Sequence, residues 1–370
     1  MTVLLRWLFD MIVRVVRTLD IPLCLAIGGL MVIALMTLYS AGGESRSIVI
    51  AQGLRFVIGL GGMWAMSRVP PMRLRHWTPL VYGLSLLPLL VVLVIGQGKH
   101  GNLWINLGVF YFQPAEVLKL SLPMMTAWYL YRERLPPSLG TLLVAGVIIA
   151  VPTLLVLVQP DFGTAMLIGV SGAFVLYLAG LSWWWFVAAG GAIAGIAPVA
   201  WFFLLKQYQK DRILTFLNPE SDPLGTGWNI IQSKIAIGSG GLTGKGWGHG
   251  TQSHLNYLPE HTTDFAFAVF SEEFGWIGVA TVLALYLFII GRCLWIASEA
   301  RDGYSRLLAG SLGLSLLVYV VVNGGMISGV LPVVGVPMPL LSYGGTSAVS
   351  LLAGLGVVMA VRAHRPTHGG

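Results

Sequence analysis

Charged side chains are scarce in this sequence. Only 10% of its 370 residues are Asp, Glu, Lys or Arg, whereas a soluble domain carries about 25%. A soluble globule with so few charges could not cover its own surface, so a lipid bilayer is expected to surround most of the chain. Cysteine is scarce as well, and Cys24 and Cys293 both lie in apolar runs, which excludes a disulfide framework. With 56% hydrophobic residues, the composition also excludes intrinsic disorder, collagen and a coiled coil.

Ten apolar stretches are each about as long as a helix must be to cross ~30 Å of hydrocarbon. They lie at 21–41, 47–67, 76–96, 114–131, 138–158, 162–181, 183–204, 266–291, 307–330 and 340–361. The sequence therefore predicts an all-α polytopic membrane protein. Its single transmembrane domain is expected to span 21–365, followed by a short cytoplasmic tail at 366–370.

Residues 1–20 have a different pattern. Apolar residues such as Leu8 and Ile12 recur there at helical spacing, with Arg6 and Arg14 between them. This pattern predicts an amphipathic segment that lies on the membrane surface.

The placement of arginine predicts the orientation of the bundle. If both termini are cytoplasmic, most basic residues face the cytoplasm, and the short loops on the other side hold only Arg46 and Lys99. The connection 205–265 between the seventh and eighth stretches then lies outside the cytoplasm. It is far longer than a connector needs, and such loops are usually functional. Its Trp and Ile content predicts that it folds back onto the bundle.

Carboxylates concentrate on this outer side of the predicted bundle. A membrane protein that collects its carboxylates on one face is expected to work on that face. Acids at the other end, such as Asp20 and Asp302, sit among arginines and are expected to be solvated. The outer carboxylates are Glu44, Glu116, Asp161, Asp211, Glu220, Asp222, Glu260, Asp264, Glu272 and Glu273.

Four of these acids flank the start of the eighth stretch. If a helix begins near Pro259, Glu260 and Asp264 share one face, although both could simply be acids favoured by the helix dipole. Glu272 and Glu273 lie about 12 Å deeper along such a helix. Charge at that depth is costly, so we expect a cavity, a basic partner or a raised pKa.

Other polar residues allow two interpretations each. Glu116 and Lys119 can pair at i,i+3, either as a structural ion pair or within a site, and Asp161 could merely cap the sixth stretch. The basic residues of the loop could be surface charges or could bind an anionic lipid headgroup: Lys206, Lys210 and Arg212. The glycine-rich stretch 238–250, which contains Lys245, could form an anion nest or be a flexible loop.

Five segments carry a resemblance to a known family. Together they resemble the SEDS family (shape, elongation, division and sporulation proteins) over nearly the whole chain, and details such as Glu272-Glu273-Phe274-Gly275 are more similar to its elongation member than to its division member. The segments are Phe112-Gln113-Pro114-Ala115-Glu116 with Lys119, Gln159-Pro160-Asp161-Phe162-Gly163-Thr164, Ala236-Ile237-Gly238-Ser239-Gly240-Gly241, Leu258-Pro259-Glu260-His261-Thr262-Thr263-Asp264-Phe265 and Gly335-Val336-Pro337-Met338-Pro339-Leu340-Leu341-Ser342-Tyr343-Gly344-Gly345-Thr346-Ser347.

The resemblance implies a peptidoglycan glycosyltransferase that polymerises lipid II for cell elongation and rod shape. It implies a site on the outer face of the bacterial plasma (inner) membrane, and a class B penicillin-binding protein and other elongation-complex proteins as partners. Asp264 matches the family's catalytic aspartate. The candidate substrate-binding residues are Glu116, Lys119, Asp161, Lys206, Lys210, Arg212, Lys245 and Glu260. A divalent cation, Mg or Mn, could accompany the pyrophosphate, and no nucleic acid is expected.

One departure from the family concerns a basic residue that usually precedes a tryptophan in the loop after the third stretch. Here Leu103 precedes Trp104. If that basic residue contacts pyrophosphate, then Lys99, His100 or Arg212 must compensate for it.

The expected chemistry is a direct displacement. Asp264 would take the proton from the GlcNAc 4-hydroxyl of one lipid II, and cations would stabilise the departing pyrophosphate. The same polar residues could instead move a headgroup across the membrane, as in a lipid II flippase. A noncatalytic scaffold of the elongation machinery is the third interpretation.

Overall fold

The computed structural model describes residues 18–96, 103–106, 111–159, 161–205, 207–221, 226–251 and 260–364. Most of the predicted amphipathic segment and the tail 366–370 lie outside these ranges. The helices are α1 (Ile21–Ala41), α2 (Arg46–Ser67), α3 (Pro71–Ile95), α4 (Ala115–Leu130), α5 (Leu139–Val158), α6 (Phe162–Leu178), α7 (Trp183–Val199, continued as a π-helical turn over Ala200–Leu204), α8 (Gln207–Leu217), α9 (Thr226–Ser239), α10 (Ala266–Ser298), α11 (Gly303–Ile327) and α12 (Thr346–Ala363). A 3₁₀ turn spans Pro219–Ser221, and strands β1 (Ile105–Asn106) and β2 (Tyr111–Phe112) pair antiparallel.

The helical class predicted from the sequence is confirmed. Each of the ten predicted stretches overlaps a helix, and eight helices within the described residues are long and apolar enough to cross a membrane. α4 and α6 are shorter, at 16 and 17 residues. The predicted start of the last stretch at 340 is wrong, because residues 340–345 form turns and α12 begins at Thr346. Pro337, Pro339 and the pair Gly344–Gly345 interrupt the helix there.

Two ends of the bundle differ in what they carry. We call the end that holds the connection 205–265 the loop end, and the other the terminal end. α10 lies at the centre and packs against α1 and α11, while α12 packs along α2. α9 also packs on α10, and the Ser233 hydroxyl donates to the Ile327 carbonyl at 2.7 Å. The prediction that the long connection folds back onto the bundle is therefore confirmed for α9.

α10 is broken near its loop end at Gly275. This residue has φ 62° and ψ −162°, a conformation that only glycine adopts readily. The segment 240–246 fills the break: the N–H groups of Lys245 and Gly246 donate to the carbonyls of Glu272 and Glu273 at 3.0 Å each. In return, the carbonyls of Gly241 and Leu242 accept from Trp276 and Ile277. Irregular backbone at membrane depth requires this kind of satisfaction by protein groups.

Asp20 at the terminal end is buried, so the prediction that it is solvated is wrong. Its side chain is 0% exposed and accepts from Arg292, whose terminal nitrogen lies 2.9 Å away, and from Arg362. It also caps α1 through the Leu23 N–H at 3.0 Å. The arginines come from α10 and α12, far along the chain, so the sequence offered no sign of this three-helix clamp.

We expect Asp20→Asn to lower the stability of the protein by about 3 kcal/mol, because it leaves two arginines without their shared carboxylate. Because Asn can still cap α1, the decrease in stability reports the missing charge and not a missing helix cap. The measurement is thermal unfolding of the purified protein. Asp302→Asn is the matched control: Asp302 also caps a helix and pairs with Arg75 at 3.4 Å, but its side chain is 42% exposed. It should cost less than about 1 kcal/mol.

Acidification gives a second readout of the same clamp. Burial by itself raises the pKa of the Asp20 carboxyl, but the hydrogen bonds from Arg292 and Leu23 and the charges of Arg362 and Arg292 outweigh it, so the pKa lies below its ordinary 3.8. A carboxyl with a lowered native pKa contributes stability above its unfolded value and loses it as the pH falls through the native value. The stability gap between wild type and Asp20→Asn should therefore close below pH 3.8. A gap that does not change with pH would contradict the clamp.

Candidate active site

Asp264 lies in a turn at the loop end, immediately before α10. The helix begins at Ala266 with Phe265 as its N-cap, and that cap uses no side-chain hydrogen bond. The condition that a helix begins near Pro259 is not met, because residues 260–265 form turns, Glu260 has φ 55°, and α10 begins where the predicted eighth stretch does. Glu260 and Asp264 therefore do not share a helix face, and Asp264 is not the residue that caps α10.

Asn323 of α11 holds the Asp264 turn in place. It is fully buried, and its amide nitrogen donates to the carbonyls of Asp264 at 3.0 Å and Val336 at 2.7 Å. A Cβ at Gly335 would lie 3.7 Å from an Asp264 carboxylate oxygen, so the carboxylate sits beside the loop 328–345. The Tyr343 N–H also donates to the Thr262 carbonyl at 2.8 Å. The Asp264 turn is thus clamped between α11 and this loop.

Glu116 and Lys119 form the ion pair that their spacing predicted. The Lys119 ammonium donates to Glu116 at 2.7 Å, and the Ser350 hydroxyl of α12 donates to the other Glu116 oxygen at 2.8 Å. The ammonium also lies 5.3 Å from the centre of the Tyr319 ring. This polar group joins α4, α11 and α12 at the loop end.

A cavity lies beside this ion pair, between α4, α6, α11 and α12. It encloses about 70 Å³, enough for several water molecules. Its wall contains both polar and apolar side chains, and Pro337, Met338 and Pro339 of the loop 328–345 line it. The polar lining includes Lys119, Ser171, Ser315, Tyr319, Ser342, Ser347 and Ser350. A cavity with both characters can hold a polar group next to hydrocarbon.

Asp161 caps α6, as one of its two interpretations predicted. One carboxylate oxygen accepts from the Thr164 N–H and the other from the Gln113 amide, each at 3.0 Å. Gly163 in the next turn packs so tightly that a Cβ would collide with the Val334 carbonyl. The start of α6 therefore contacts the loop 328–345, which also clamps the Asp264 turn.

Glu272 has the basic partner that its depth predicted. It is 0% exposed and accepts from the Lys245 ammonium at 2.6 Å, and from the Thr251 N–H at 2.9 Å and hydroxyl at 2.8 Å. Glu273 accepts from the Ser40 hydroxyl of α1. The N–H groups of Gly244, Lys245 and Gly246 all donate to backbone carbonyls. The anion nest predicted for this stretch is therefore wrong for these amides, which fasten the broken helix instead.

The structure describes only some of the basic residues that were expected to contact substrate. Lys210 and Arg212 lie on α8, whereas Lys206, Lys99 and His100 lie outside the described residues. Their predicted contact with substrate stays a prediction.

Sequence reasoning missed two positioning residues. Asn323 and Ser350 are polar residues in predominantly apolar helices and were not singled out, although a polar side chain within a membrane span is itself a functional signal. Their roles became visible only because the fold brings α11 to Asp264 and α12 to Glu116.

Comparison with known proteins decides the family. The family model for FtsW, RodA and SpoVE, described as cell cycle protein, matches residues 16–367. The chain belongs to this family. It is 47% identical to the peptidoglycan glycosyltransferase MrdB of Escherichia coli K12 over 348 residues, which is 94% of each chain. It is 31% identical to the peptidoglycan glycosyltransferase RodA of Treponema pallidum, over 95% of this chain and 99% of that one.

A solved structure supports the same family at the level of the fold. A chain from a peptidoglycan synthase complex that coordinates polymerization and crosslinking superposes with a TM-score of 0.82 at 32% identity. The match covers 94% of this chain and 99% of that one. The resemblance to the SEDS family and to its elongation member is therefore confirmed.

Proposed function

We propose that this member of the FtsW/RodA/SpoVE family is a peptidoglycan glycosyltransferase that polymerises lipid II during cell elongation. The observation that carries the proposal is the Asp264 turn, which is clamped by Asn323 and by the loop 328–345. The same loop lines a cavity that has both polar and apolar side chains in its wall. Relatives over nearly the whole chain bear the name peptidoglycan glycosyltransferase. Lipid II has a tail that needs hydrocarbon and sugars that need water, and the loop end offers both.

Asp264 acts in this proposal as the general base. Its carboxylate takes the proton from the GlcNAc 4-hydroxyl of one lipid II, and the oxygen attacks the anomeric carbon of the MurNAc at the end of the growing chain. The bond to the pyrophosphate lipid breaks on the opposite face, so the α configuration becomes β. No carboxylate nucleophile is needed, unlike in a retaining glycosidase. Cationic groups stabilise the charge that develops on the leaving pyrophosphate.

The Glu116–Lys119 pair supplies a fixed charge arrangement at the wall of the cavity. Because Glu116 is held by both Lys119 and Ser350, the ammonium keeps its position as substrate enters. Asp161 and Glu260 are proposed to position the sugars, and Lys206, Lys210, Arg212 and Lys245 to attract or hold anionic parts of the substrate. Lys245 is already paired with Glu272 at 2.6 Å, which fixes it against α10 and offsets its charge, so its proposed share in holding anions is the smallest of the four.

A divalent cation at the pyrophosphate stays a proposal. Among the described residues, no three Asp, Glu, His or Cys side chains come together as a metal site. These residues do not fit a metal held by the protein alone, so no step of the reaction is assigned to one.

Asn323→Leu is expected to lower polymerisation about tenfold or more, because the carbonyls of Asp264 and Val336 lose their shared donor and the base moves. Each buried carbonyl left without a donor costs about 1–3 kcal/mol, so the variant should also unfold at a lower temperature. The measurement is the initial rate of glycan synthesis from labelled lipid II, normalised to folded protein.

Ser311→Ala is the control for this prediction. Ser311 is a buried residue of the same helix, and its hydroxyl donates to the Ser171 carbonyl at 2.7 Å. Its removal should reduce stability and leave the rate per folded molecule nearly unchanged. If the rate per folded molecule of Asn323→Leu stays near wild type, as expected for Ser311→Ala, Asn323 acts through stability alone and the prediction is wrong.

The orientation proposed for the bundle places ten spans in the bacterial plasma membrane, with both termini in the cytoplasm and the loop end outside. We expect a cysteine introduced by Ser253→Cys to react with an impermeant thiol reagent in intact spheroplasts. Ala363→Cys, at the exposed terminal end of α12, should react only after lysis. The reverse pattern would overturn the orientation.

A class B penicillin-binding protein is the proposed partner. The related chain that superposes on this one comes from a complex that coordinates polymerization and crosslinking. In α11, Tyr319 lines the cavity and a Cβ at Gly325 would meet Leu331 of the same chain. These two residues therefore pack internally. Co-purification of both proteins from detergent tests the pair.

A lipid II flippase is the second candidate, and the break in α10 is the observation that favours it, because transporters use discontinuous helices. The segment 240–246 satisfies the groups freed at this break, which argues for a fixed element. The deciding experiment supplies fluorescent lipid II to the purified protein in vesicles and follows both glycan polymer and transfer between leaflets. Transfer without polymer would favour the flippase.

A further inference from the structure

A positive charge lies deep within α2. Arg55 is nine residues from the start of the helix at Arg46, which corresponds to about 14 Å along its axis and therefore to the middle of a ~30 Å hydrocarbon layer. Its side chain is half-buried. The ion pairs among the described residues, all within 4.0 Å, do not include Arg55. A charge kept at this depth is expensive and marks a functional site.

A second donor lies directly beside this arginine. Gln52 is 0% exposed, and its amide nitrogen has no hydrogen-bond partner among the described residues. Its amide oxygen accepts from the Arg55 guanidinium at 3.4 Å. A buried donor without an acceptor costs about 1–3 kcal/mol, so the pair of side chains is suited to an anionic oxygen supplied from outside the protein.

Arg55 is connected to the Asp264 turn. Its guanidinium carbon lies 4.2 Å from the centre of the Tyr343 ring, a cation–π contact that orients the planar group. The Tyr343 N–H donates to the carbonyl of Thr262, two residues before Asp264. The cation therefore contacts the same loop that clamps the proposed base.

The surroundings of Arg55 on α2 suit a lipid. Leu54, Val57 and Ile58 are all exposed on this helix, and in a membrane protein such apolar side chains face hydrocarbon. An anion bound at Arg55 could keep a polyprenyl tail in the bilayer alongside α2 while its headgroup reaches the Asp264 turn.

We propose that Arg55 and Gln52 form an anion subsite that binds the pyrophosphate of a lipid-linked substrate. The inference rests on the proposed function and adds a positioning site to it. A guanidinium presents two parallel N–H donors that match phosphate oxygens, and the Gln52 amide adds a third donor. Arg55 also supplies a positive charge in place of the basic residue that Leu103 replaces. The sequence alone had suggested Lys99, His100 or Arg212 for this role.

The test measures binding without turnover. Radiolabelled undecaprenyl pyrophosphate is titrated into phosphatidylcholine nanodiscs that contain the full-length protein, and the half-saturating amount is determined. Arg55→Gln should raise this amount about 10- to 100-fold, the value of a hydrogen-bonded charge contact. Gln52→Leu should raise it about 10-fold for the single donor lost.

Arg46→Gln is the matched control, because it removes the same charge from the exposed start of the same helix. It should change binding less than about twofold, since an exposed charge contributes little. Equal weakening by Arg55→Gln and Arg46→Gln would overturn the proposal. If Arg55→Gln fails to reach the membrane, Arg55→Lys is measured instead. Lysine keeps the charge but lacks the planar pair of donors, so binding should weaken about threefold or more. Unchanged binding by Arg55→Lys would overturn the subsite.

Two further arms separate the possible sources of the anion and the two proposals. If phosphatidylglycerol in the nanodisc displaces the probe from wild type but not from Arg55→Gln, the site binds ordinary phospholipid headgroups, and its assignment to substrate is overturned. If phosphatidylglycerol does not displace the probe, the assignment to substrate is supported. Wild type that binds the probe through Arg55 but makes no glycan polymer would refute the proposed function and keep the subsite. If wild type polymerises and Arg55→Gln binds the probe normally, the subsite is refuted and the proposed function is kept.

Discussion

Asp264→Asn should lower the rate of glycan polymerisation about 10²- to 10⁴-fold, the usual value of a lost general base. Asn has nearly the same size and leaves the backbone carbonyl that Asn323 holds at 3.0 Å, but it cannot accept the hydroxyl proton. Asp264 is not the N-cap of α10, so folding and membrane insertion should be nearly intact. The measurement is the initial rate with labelled lipid II, together with thermal unfolding of the same preparation.

Glu260→Gln is the control for the base assignment. Glu260 lies in the same turn and is proposed only to position the sugar, so its loss should cost less than that of Asp264. If Asp264→Asn retains more than about a tenth of the wild-type rate, the assignment of Asp264 as the base is wrong, because the loss of a general base lowers the rate about 10²-fold or more. Asp161 would then become the leading candidate, because Glu272 and Glu273 are buried and accept from Lys245 and Ser40.

Gly275→Ala should prevent the protein from reaching a stable fold. The residue has φ 62° and ψ −162°, a conformation that costs any other residue about 1–3 kcal/mol. A Cβ there would also collide with the Gly244 backbone nitrogen and lie 2.8 Å from the Leu242 carbonyl oxygen. The segment 240–246 would have to leave the break, and its hydrogen bonds to α10 would be lost. We expect a total cost above about 4 kcal/mol, measured as loss of folded protein in the membrane.

Gly291→Ala provides the comparison within the same helix. A Cβ at Gly291 meets nothing within 4 Å, and the residue lies in the regular part of α10. Alanine should therefore be neutral or stabilise the helix by about 0.5–1 kcal/mol. A Gly275→Ala protein that accumulates and unfolds like Gly291→Ala would show that α10 is not broken by the backbone of Gly275.

The ten helices that match the predicted stretches were predictable because each is an apolar run, whereas α8 and α9 lie in the long connection and were not predicted. Runs such as 139–158 are written in consecutive residues, so composition alone locates them. α10 begins at Ala266, as the predicted stretch 266–291 has it. The alternative beginning near Pro259 fails because Glu260, at φ 55°, lies in a turn that precedes the helix. The break at Gly275 was also invisible, since an isolated glycine in an apolar run is compatible with a regular helix.

The residues of the site were predictable to different degrees. The pairing of Glu116 with Lys119 follows from their spacing on one helix. A basic partner for Glu272 was one of three outcomes expected from the cost of its depth, and its identity as Lys245 was not predicted. Asn323, Ser350 and the burial of Asp20 depend on contacts between helices far apart in the chain. Only the packed arrangement of the bundle brings these partners together.

The most direct measurement supplies labelled lipid II to the purified protein, reconstituted with a class B penicillin-binding protein whose transpeptidase is blocked, and separates the products by length. The account predicts long glycan strands that a muramidase digests, made by wild type and absent with Asp264→Asn. Lipid II that crosses the vesicle membrane without any strand, or strands made equally well by Asp264→Asn, would contradict it.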